Sequence, residues 1–191
     1  MSKEKIILSV PFCDKDQVKK LGAMWDSGMK SWFIYSHFDL NKFKKWVPHY
    51  NLRSDSFVII QGVEHCWRCE MSGVVHAFYL DSAQETFTDD DGDEYWEATP
   101  SGVVVNSIIH LLDGPKREIS TVSNGKVRLD GSYIANHCEH CGAKLGDHYM
   151  FGEPGGAFFP SEYGPVAKVA NRYNEKFLAD ATYSFSNSSV I

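Results

Sequence analysis

Four of the five cysteines stand in two Cys-x-x-Cys pairs, Cys66/Cys69 and Cys138/Cys141, with 68 residues between the pairs. A spacing of two residues lets one tight turn present both thiolates to a single ion. Four thiolates complete the tetrahedral shell of a structural zinc site, and thiolate is a ligand that zinc favours. We therefore predict that one structural Zn²⁺ per chain, bound by these cysteines, is the centre of the fold.

Three histidines lie beside the cysteines, at His65, His137 and His140. Four thiolates leave no coordination position for a catalytic water, so we expect these histidines to support the site or to lie on the surface. A histidine in place of one cysteine ligand is the open alternative. A redox dithiol fits less well, because it needs one pair at a strand–helix junction. Cys13 is expected to be an ordinary small buried residue.

An acidic run lies between the two cysteine pairs, and its carboxylates are a second set of possible metal ligands. Alternate carboxylates are typical of a calcium loop, but no helix pattern flanks this run, so a solvated hairpin tip is favoured. A third interpretation is an acidic patch that binds a basic partner. The candidate partner-binding residues of this acidic loop are Asp89, Asp90, Asp91, Asp93 and Glu94.

Motifs of the common enzyme classes are missing from the sequence. There is no glycine-rich phosphate loop, nucleophile elbow or paired-carboxylate signature. The combined arrangement of zinc nucleobase deaminases, His-x-Glu together with Pro-Cys-x-x-Cys, is also absent. A nuclease of the HNH type can carry such cysteine pairs, but only the isolated His110 resembles its catalytic histidines. We accordingly predict no catalytic residues.

The net charge of −6 conceals two regions of opposite sign. Residues 1–53 carry a net charge of +5, and residues 54–191 carry −11. Hydrophobic residues make up 43% of the chain, enough for a packed core. No signal peptide begins the sequence and no eighteen apolar residues follow one another, so we expect a cytoplasmic protein that does not enter a membrane.

The basic region has the pattern of a small strand–helix–strand–helix unit. The predicted elements are a strand near residues 5–10, a helix from a capping box of Asp14 and Gln17 to Gly22, a strand at residues 31–35 and a short helix from Asp39 to Pro48.

Residues 5–48 resemble the DUF5710 family of small bacterial domains. The matching residues are Val10-Pro11-Phe12, Asp14-Lys15-Asp16, Lys19, Leu21-Gly22-Ala23, Trp25-Asp26, Lys30 and Trp32. The usual Trp-Tyr-Val-Pro ending is replaced by Trp32-Phe33-Ile34-Tyr35. Because the family includes modules attached to primases and topoisomerases, the resemblance implies a recognition or accessory role.

The matching residues of that module have a structural interpretation, which we favour. Gly22 ends a helix, Trp25 and Trp32 fill the core, and Asp26 caps a turn. The functional alternative is a basic face that contacts phosphates. Its candidate residues are Lys15, Lys19, Lys20, Lys42, Lys44 and Lys45.

The acidic region is predicted to be a mainly antiparallel β body. The boundary between the two regions is expected within residues 54–62, which include a predicted strand at residues 57–60. Further strands are expected at residues 74–80 and 103–107. A C-terminal helix is expected to begin at Pro165, with one face formed by Val166, Val169, Ala170, Tyr173 and Phe177. The two cysteine pairs, with the Gly152–Pro160 segment, are similar to uncharacterised bacterial zinc-ribbon-like proteins, a resemblance that implies no activity.

The sequence thus predicts an α+β protein with a basic DUF5710-like module over residues 1–53 and a zinc-ribbon-like β domain over residues 54–191. Binding, not catalysis, is the expected function. The favoured partner is a protein with a basic surface, for example a toxin neutralised by an immunity or inhibitor protein. The alternatives are an accessory protein that binds nucleic acid through the basic module and a zinc-ribbon-containing nuclease.

Overall fold

The computed structural model describes residues 5–28, 31–35, 37–131, 133–159 and 167–185. The chain forms two compact units, Met1–His49 and Tyr50–Ile191. Residues 50–53, which charge alone groups with the basic module, belong to the second unit.

The first unit is a small antiparallel sheet with one helix. Its elements are β1 (Lys5–Leu8), a 3₁₀ turn (Phe12–Asp14), α1 (Lys15–Lys20), β2 (Met24–Asp26), β3 (Ser31–Tyr35) and a second 3₁₀ turn (Leu40–Phe43). The strands lie in the order β1-β3-β2. The predicted first strand, first helix and second strand are therefore present, and β2 is an addition. The predicted short helix from Asp39 to Pro48 is wrong, because only the 3₁₀ turn Leu40–Phe43 forms there.

The core of this unit differs from the predicted one. Val18, Ile34, Phe43 and Trp46 are almost completely buried. Trp32 is only partly buried, and Trp25, which pairs with it across β2 and β3, is 52% exposed. The prediction is wrong for Trp25, which lies outside the core, whereas Trp32 packs against the cluster that contains Phe43 and Trp46.

The predictions for individual residues of this unit are confirmed at Gly22 and Asp26 and wrong at Asp14 and Cys13. Gly22 takes the left-handed conformation that ends α1, at φ +100°, and Asp26 accepts a hydrogen bond from the Gly28 amide at 3.0 Å. The predicted capping box is wrong, because the Asp14 side chain makes no N-cap hydrogen bond. Its carboxylate instead accepts from the Trp46 indole at 2.9 Å. The prediction that Cys13 is buried is wrong: Cys13 is exposed, in a 3₁₀ turn that buries no side chain.

The second unit is built on an eight-stranded sheet in which each strand pair is antiparallel. Its strands are β4 (Leu52–Ser54), β5 (Phe57–His65), β6 (Ser72–Leu80), β7 (Gln84–Thr88), β8 (Glu94–Ala98), β9 (Val103–Leu111), and β13 (Lys168–Tyr173) and β14 (Phe177–Phe185) near the end of the chain. The spatial order is β13-β5-β6-β9-β14-β4-β7-β8. The predicted strands at residues 57–60, 74–80 and 103–107 are confirmed.

Between β9 and β13 the chain forms smaller elements. These are α2 (Asp113–Val122), β10 (Val127–Asp130), β11 (Tyr133–His137), β12 (Lys144–Leu145) and a π-helical turn (His148–Gly152). No helix of the described ranges has the length and apolarity required to cross a membrane.

Two apolar clusters are separated by the large sheet, because successive strand residues point to opposite faces. Ile59, Phe78 and Val105 belong to one cluster, which also includes Ile119 of α2 and Ile134 of β11. Ile60 and Val104 belong to the other, together with Cys66 and Cys138. The cysteine pairs are therefore attached to the second cluster.

The predicted C-terminal helix is wrong over the described residues, since β13 and β14 occupy that segment. Pro165 and Val166 lie outside the described residues. Spacings of three and four between apolar residues suggested a helix. The buried residues of β14, however, are Phe177, Ala179 and Ala181, which alternate with more exposed ones as a strand requires.

Candidate metal centre and aromatic groove

Each cysteine pair lies in a tight turn between two strands. The first knuckle, Cys66–Met71, connects β5 to β6, and the second knuckle, Cys138–Ala143, connects β11 to β12. The strands fix the ends of each turn, so the cysteines are held by the sheets although 68 residues separate the pairs in sequence.

The two knuckles repeat the same backbone hydrogen bonds. The Cys66 amide donates to the Met71 carbonyl at 3.0 Å, and the Glu70 amide donates back to the Cys66 carbonyl at 2.9 Å. In the second knuckle the Cys138 amide donates to the Ala143 carbonyl and the Gly142 amide to the Cys138 carbonyl. A common turn therefore presents both pairs.

The four sulfur atoms converge on one point. Their Sγ atoms all lie within 4.8 Å of one another, with Cys66 Sγ 3.6 Å from Cys141 Sγ and Cys69 Sγ 3.7 Å from Cys138 Sγ. Four sulfurs bound tetrahedrally to zinc at about 2.3 Å lie about 3.8 Å apart. A disulfide needs about 2.05 Å between its sulfurs, so the arrangement fits a metal ion and not a covalent bond.

The ionisation of the thiols also favours a bound cation. The Cys69 amide lowers the pKa of Cys66 to about 6, and the Cys141 amide lowers the pKa of Cys138. At Cys69 the Met71 amide favours the thiolate, but burial and the neighbouring sulfurs raise the pKa to about 12. Because the neighbouring sulfurs oppose ionisation of Cys69, a bound cation would favour its thiolate form.

The three flanking histidines place ring nitrogens against other groups. His65 Nδ1 lies 2.9 Å from the Ser72 hydroxyl, and His140 Nε2 lies 3.1 Å from the Ser72 carbonyl. His137 is buried, with Nε2 2.9 Å from an Asp130 carboxylate oxygen. The four cysteines form the metal-binding group found in the described part of the chain, and no histidine belongs to it.

A hydrogen bond connects the first knuckle to the strand that follows the second. The Trp67 indole of the first knuckle donates to the carbonyl of Lys144, which follows the second, at 2.9 Å. The Trp67 side chain is nevertheless 70% exposed. Cys66 and Cys138 are buried, whereas Cys69 and Cys141 are partly exposed. The centre thus lies at the edge of the apolar cluster.

The first unit contains a groove of about 540 Å³ that we call the aromatic groove. Phe12 is 81% exposed and Trp25 52% exposed. The Trp25 and Trp32 rings meet edge to face at 5.5 Å, and the Lys15 ammonium lies 3.9 Å from the Phe12 ring centroid. The lining residues are Leu8, Ser9, Val10, Phe12, Lys15, Trp25, Ser31 and Trp32.

The lysines predicted to contact phosphates lie on two segments of the same unit. Lys15 lines the aromatic groove, and Lys19 and Lys20 are exposed in the last turn of α1. The others are exposed at Lys42, Lys44 and Lys45. The Lys45 ammonium forms an ion pair with Asp14 at 2.8 Å. Their contact with nucleic acid stays a prediction.

The acidic loop is the tip of the β7–β8 hairpin. An Asp89 carboxylate oxygen accepts from the Asp91 and Asp93 amides, at 3.0 and 2.8 Å. Gly92 takes a left-handed φ of +88° in the same turn. One carboxylate is therefore used to shape the turn, as in an ordinary hairpin tip. Asp90, Asp91, Asp93 and Glu94 are exposed.

Sequence reasoning missed the aromatic groove. Phe12 was part of a matching motif, and Trp25 and Trp32 were assigned to the core. The available signal was the number of large rings in so small a unit, where Phe33, Phe38, Phe43 and Trp46 also compete for the interior. A unit of this size buries a limited part of its surface, so some rings must stay exposed.

Comparison with known proteins gives one family match, within the first unit, and two short matches to named proteins. Residues 5–48 match the family described as "Domain of unknown function (DUF5710)". Two proteins of Escherichia coli, each named "DNA primase TraC", are 44% and 40% identical to this chain over 43 residues, or 22% of its length. The matched segment spans 4% and 3% of those proteins. No solved structure matches this chain significantly.

Proposed function

We propose that the protein is a zinc-stabilised, non-catalytic binding protein that binds single-stranded nucleic acid through the aromatic groove. The observation that carries this proposal is the pair of exposed rings, Phe12 and Trp25, beside the Lys15 ammonium in one groove. Proteins that bind single strands without sequence preference combine aromatic platforms for the bases with cations for the phosphates.

The charges of the first unit support the same proposal. Lys19 and Lys20 lie one turn beyond Lys15 on α1, and both are exposed. Single-stranded chains expose base faces that a duplex hides, so exposed rings select single strands while lysines attract either form. The two proteins that share a 43-residue segment with this chain are named DNA primases, which agrees with a nucleic-acid partner.

Zinc is the proposed occupant of the cysteine centre, and its proposed role is structural. Cys66, Cys69, Cys138 and Cys141 would hold it, and their thiolates are ligands that zinc prefers. Four protein ligands close the tetrahedral shell. The metal would thus connect the two knuckles and leave binding to other surfaces.

Fluorescence anisotropy with a labelled oligothymidylate of about 20 nucleotides tests the proposal. We expect binding that weakens with salt and that is stronger than binding to a duplex of equal length. Phe12→Ala with Trp25→Ala should weaken it roughly tenfold or more, since stacking on one ring contributes about 1–3 kcal/mol per base. A matched control is Tyr149→Ala, an exposed ring of the other unit. Equal losses in both variants would contradict the proposal.

A second candidate function is recognition of a basic protein by the acidic surface, as an immunity or inhibitor protein would do. Its supporting observation is the β7–β8 hairpin, whose residues 84–98 contain seven carboxylates and no lysine or arginine. Titration with a peptide of about ten lysines should give binding that falls steeply with added salt. Absence of binding at low salt would exclude this candidate. The zinc-ribbon nuclease stays a prediction, and its candidate His110 is paired with Asp180 at 3.2 Å.

A further inference from the structure

The acidic hairpin, which we define as β7, the loop and β8 (residues 84–98), forms one end of the eight-stranded sheet. β8 is the last strand, and across the described ranges no strand pairs with its outer side. Backbone amides and carbonyls along an outer strand are a template for another extended segment. Natural edges are often protected by charged side chains, especially lysine, or by proline. The charged residues of β8, Glu94-Tyr95-Trp96-Glu97-Ala98, are both carboxylates, so this edge repels an acidic strand but not a basic one.

The two faces of this hairpin differ. On one face Arg53 of β4 lies over Trp96, with the guanidinium carbon 4.4 Å from the ring centroid, and Arg53 Nε donates to Gln84 at 2.7 Å. The other face carries Phe87 and Tyr95, whose rings stack at 6.0 Å and are 40% and 46% exposed. The protein thus supplies its own cation to one face of the hairpin.

Two carboxylates lie on the same face of the hairpin as the Phe87 and Tyr95 rings. Glu85 lies directly opposite Glu97 in the β7–β8 ladder, next to the Phe87–Tyr95 pair. Like charges directly across two strands destabilise the pair, because their Cβ atoms are only about 5 Å apart. Glu85 accepts a hydrogen bond from the Tyr183 hydroxyl, whereas Glu97 is exposed. A cation held between these carboxylates and the rings would relieve the repulsion and gain a cation–π contact.

We propose that the outer side of β8 and this aromatic face bind an extended basic segment of a partner protein, which adds a ninth strand to the sheet. Arginine side chains at every second position would reach the Phe87–Tyr95 rings and Glu97, since alternate residues of a strand share one face. The inference rests on the second candidate function, recognition of a basic protein, and names the surface and the chemistry of its partner.

The test uses the full chain and a seven-residue peptide with arginine and threonine alternating. Two further peptides carry N-methyl groups on alternate amides, one set on each side of the peptide strand. Only one side can pair with β8, so we expect one methylated peptide to lose binding and the other to retain it. Amide resonances of residues 95–98 should shift on binding of the parent peptide. Equal binding of both methylated peptides would overturn the proposal.

Side-chain variants test the aromatic face separately. Phe87→Ala with Tyr95→Ala, and Glu97→Gln alone, should each weaken binding of the arginine peptide at least about fivefold. The matched control for Glu97→Gln is Asp90→Asn, which removes one charge at the hairpin tip and should change binding about twofold or less. A larger loss in Asp90→Asn than in Glu97→Gln would contradict the proposal. If the wild-type chain binds neither this peptide nor the lysine peptide, the second candidate function itself fails.

Discussion

Glu70 holds in the first knuckle the backbone conformation that Gly142 holds in the second. Their φ angles are 59° and 70°, and each amide donates to the carbonyl of the first cysteine of its knuckle. A left-handed conformation is free of steric cost for glycine, but it costs roughly 1–2 kcal/mol for a residue with a Cβ atom. The first knuckle therefore contains strain that the second lacks.

Exchanging these residue types should change stability in opposite directions. Glu70→Gly should stabilise the protein by roughly 0.5 kcal/mol, because relief of strain exceeds the added freedom of the unfolded chain. Gly142→Ala should destabilise it by about 1 kcal/mol, for conformational reasons alone, since no atom lies within 4 Å of the added Cβ. Urea unfolding of the metal-loaded proteins measures both. Changes of equal sign would show that the knuckles are not equivalent.

Loss of one thiolate should release the metal. Elemental analysis should give close to one zinc per wild-type chain, and Cys66→Ser or Cys138→Ser should lose zinc and lower the unfolding temperature. Cys13→Ser is the matched control, because Cys13 is exposed and lies in the other unit. It should retain the metal and change the unfolding free energy by less than about 0.5 kcal/mol. A metal-free wild-type chain with an intact fold would contradict the zinc assignment.

His76 should make stability depend on pH. Its ring is buried, burial lowers its pKa, and its Nδ1 has no partner among the described residues. Below the ordinary histidine pKa of about 6.5 the unfolded chain binds a proton that the folded chain does not bind. The unfolding free energy should therefore fall as the pH decreases from about 6.5, by at most about 1.4 kcal/mol per pH unit.

Replacement of His76 isolates this contribution. His76→Leu should flatten the pH dependence between pH 7 and 5, and the backbone bonds to the Asn136 side chain can remain. The control is His148→Gln, because the His148 side chain is 72% exposed. Acid titration of the thiolates affects all three proteins, so the comparison is made between their urea unfolding curves at each pH. The same slope in His76→Leu and wild type would rule out the assignment.

Gly156 permits a close approach of two backbone segments. A Cβ atom at this position would lie 2.1 Å from the Tyr149 carbonyl oxygen and 2.8 Å from that of Met150. Gly156→Ala should therefore destabilise the protein by roughly 2 kcal/mol or more. At Gly146 no atom lies within 4 Å of such a Cβ, so Gly146→Ala should have little effect. Thermal unfolding of both variants checks the difference.

The cysteine centre was predictable because its signal is local. The two-residue spacing within each pair defines the turn. The sheets that bring Cys66 and Cys138 together are not apparent from the sequence between the pairs. Strands such as β5 and β9 were predictable for a similar reason, since runs such as Phe57-Val58-Ile59-Ile60 favour a buried strand. The cysteine turns and these strands are determined by residues close together in the sequence.

The errors concern features that depend on tertiary packing. Val169, Tyr173 and Phe177 fit a helical spacing, but Tyr173 pairs with Phe57 in the sheet and Phe177 with Ser54. The residue type of Trp25 predicts burial, yet Trp25 is largely exposed, whereas Phe43 and Trp46 are buried in the core. Periodicity over a few residues does not decide between a helix and a strand in such cases. It also does not decide which of several rings remains exposed.

The distance in sequence between the two knuckles has a consequence for the unfolded chain. A metal held by Cys69 and Cys138 closes a loop of 68 intervening residues. Closing a loop of that length by a cross-link removes chain entropy equivalent to about 4 kcal/mol in the unfolded state. A metal that survived unfolding would act on this protein as a reversible cross-link, and refolding would begin with β5, β6 and β11 already close together.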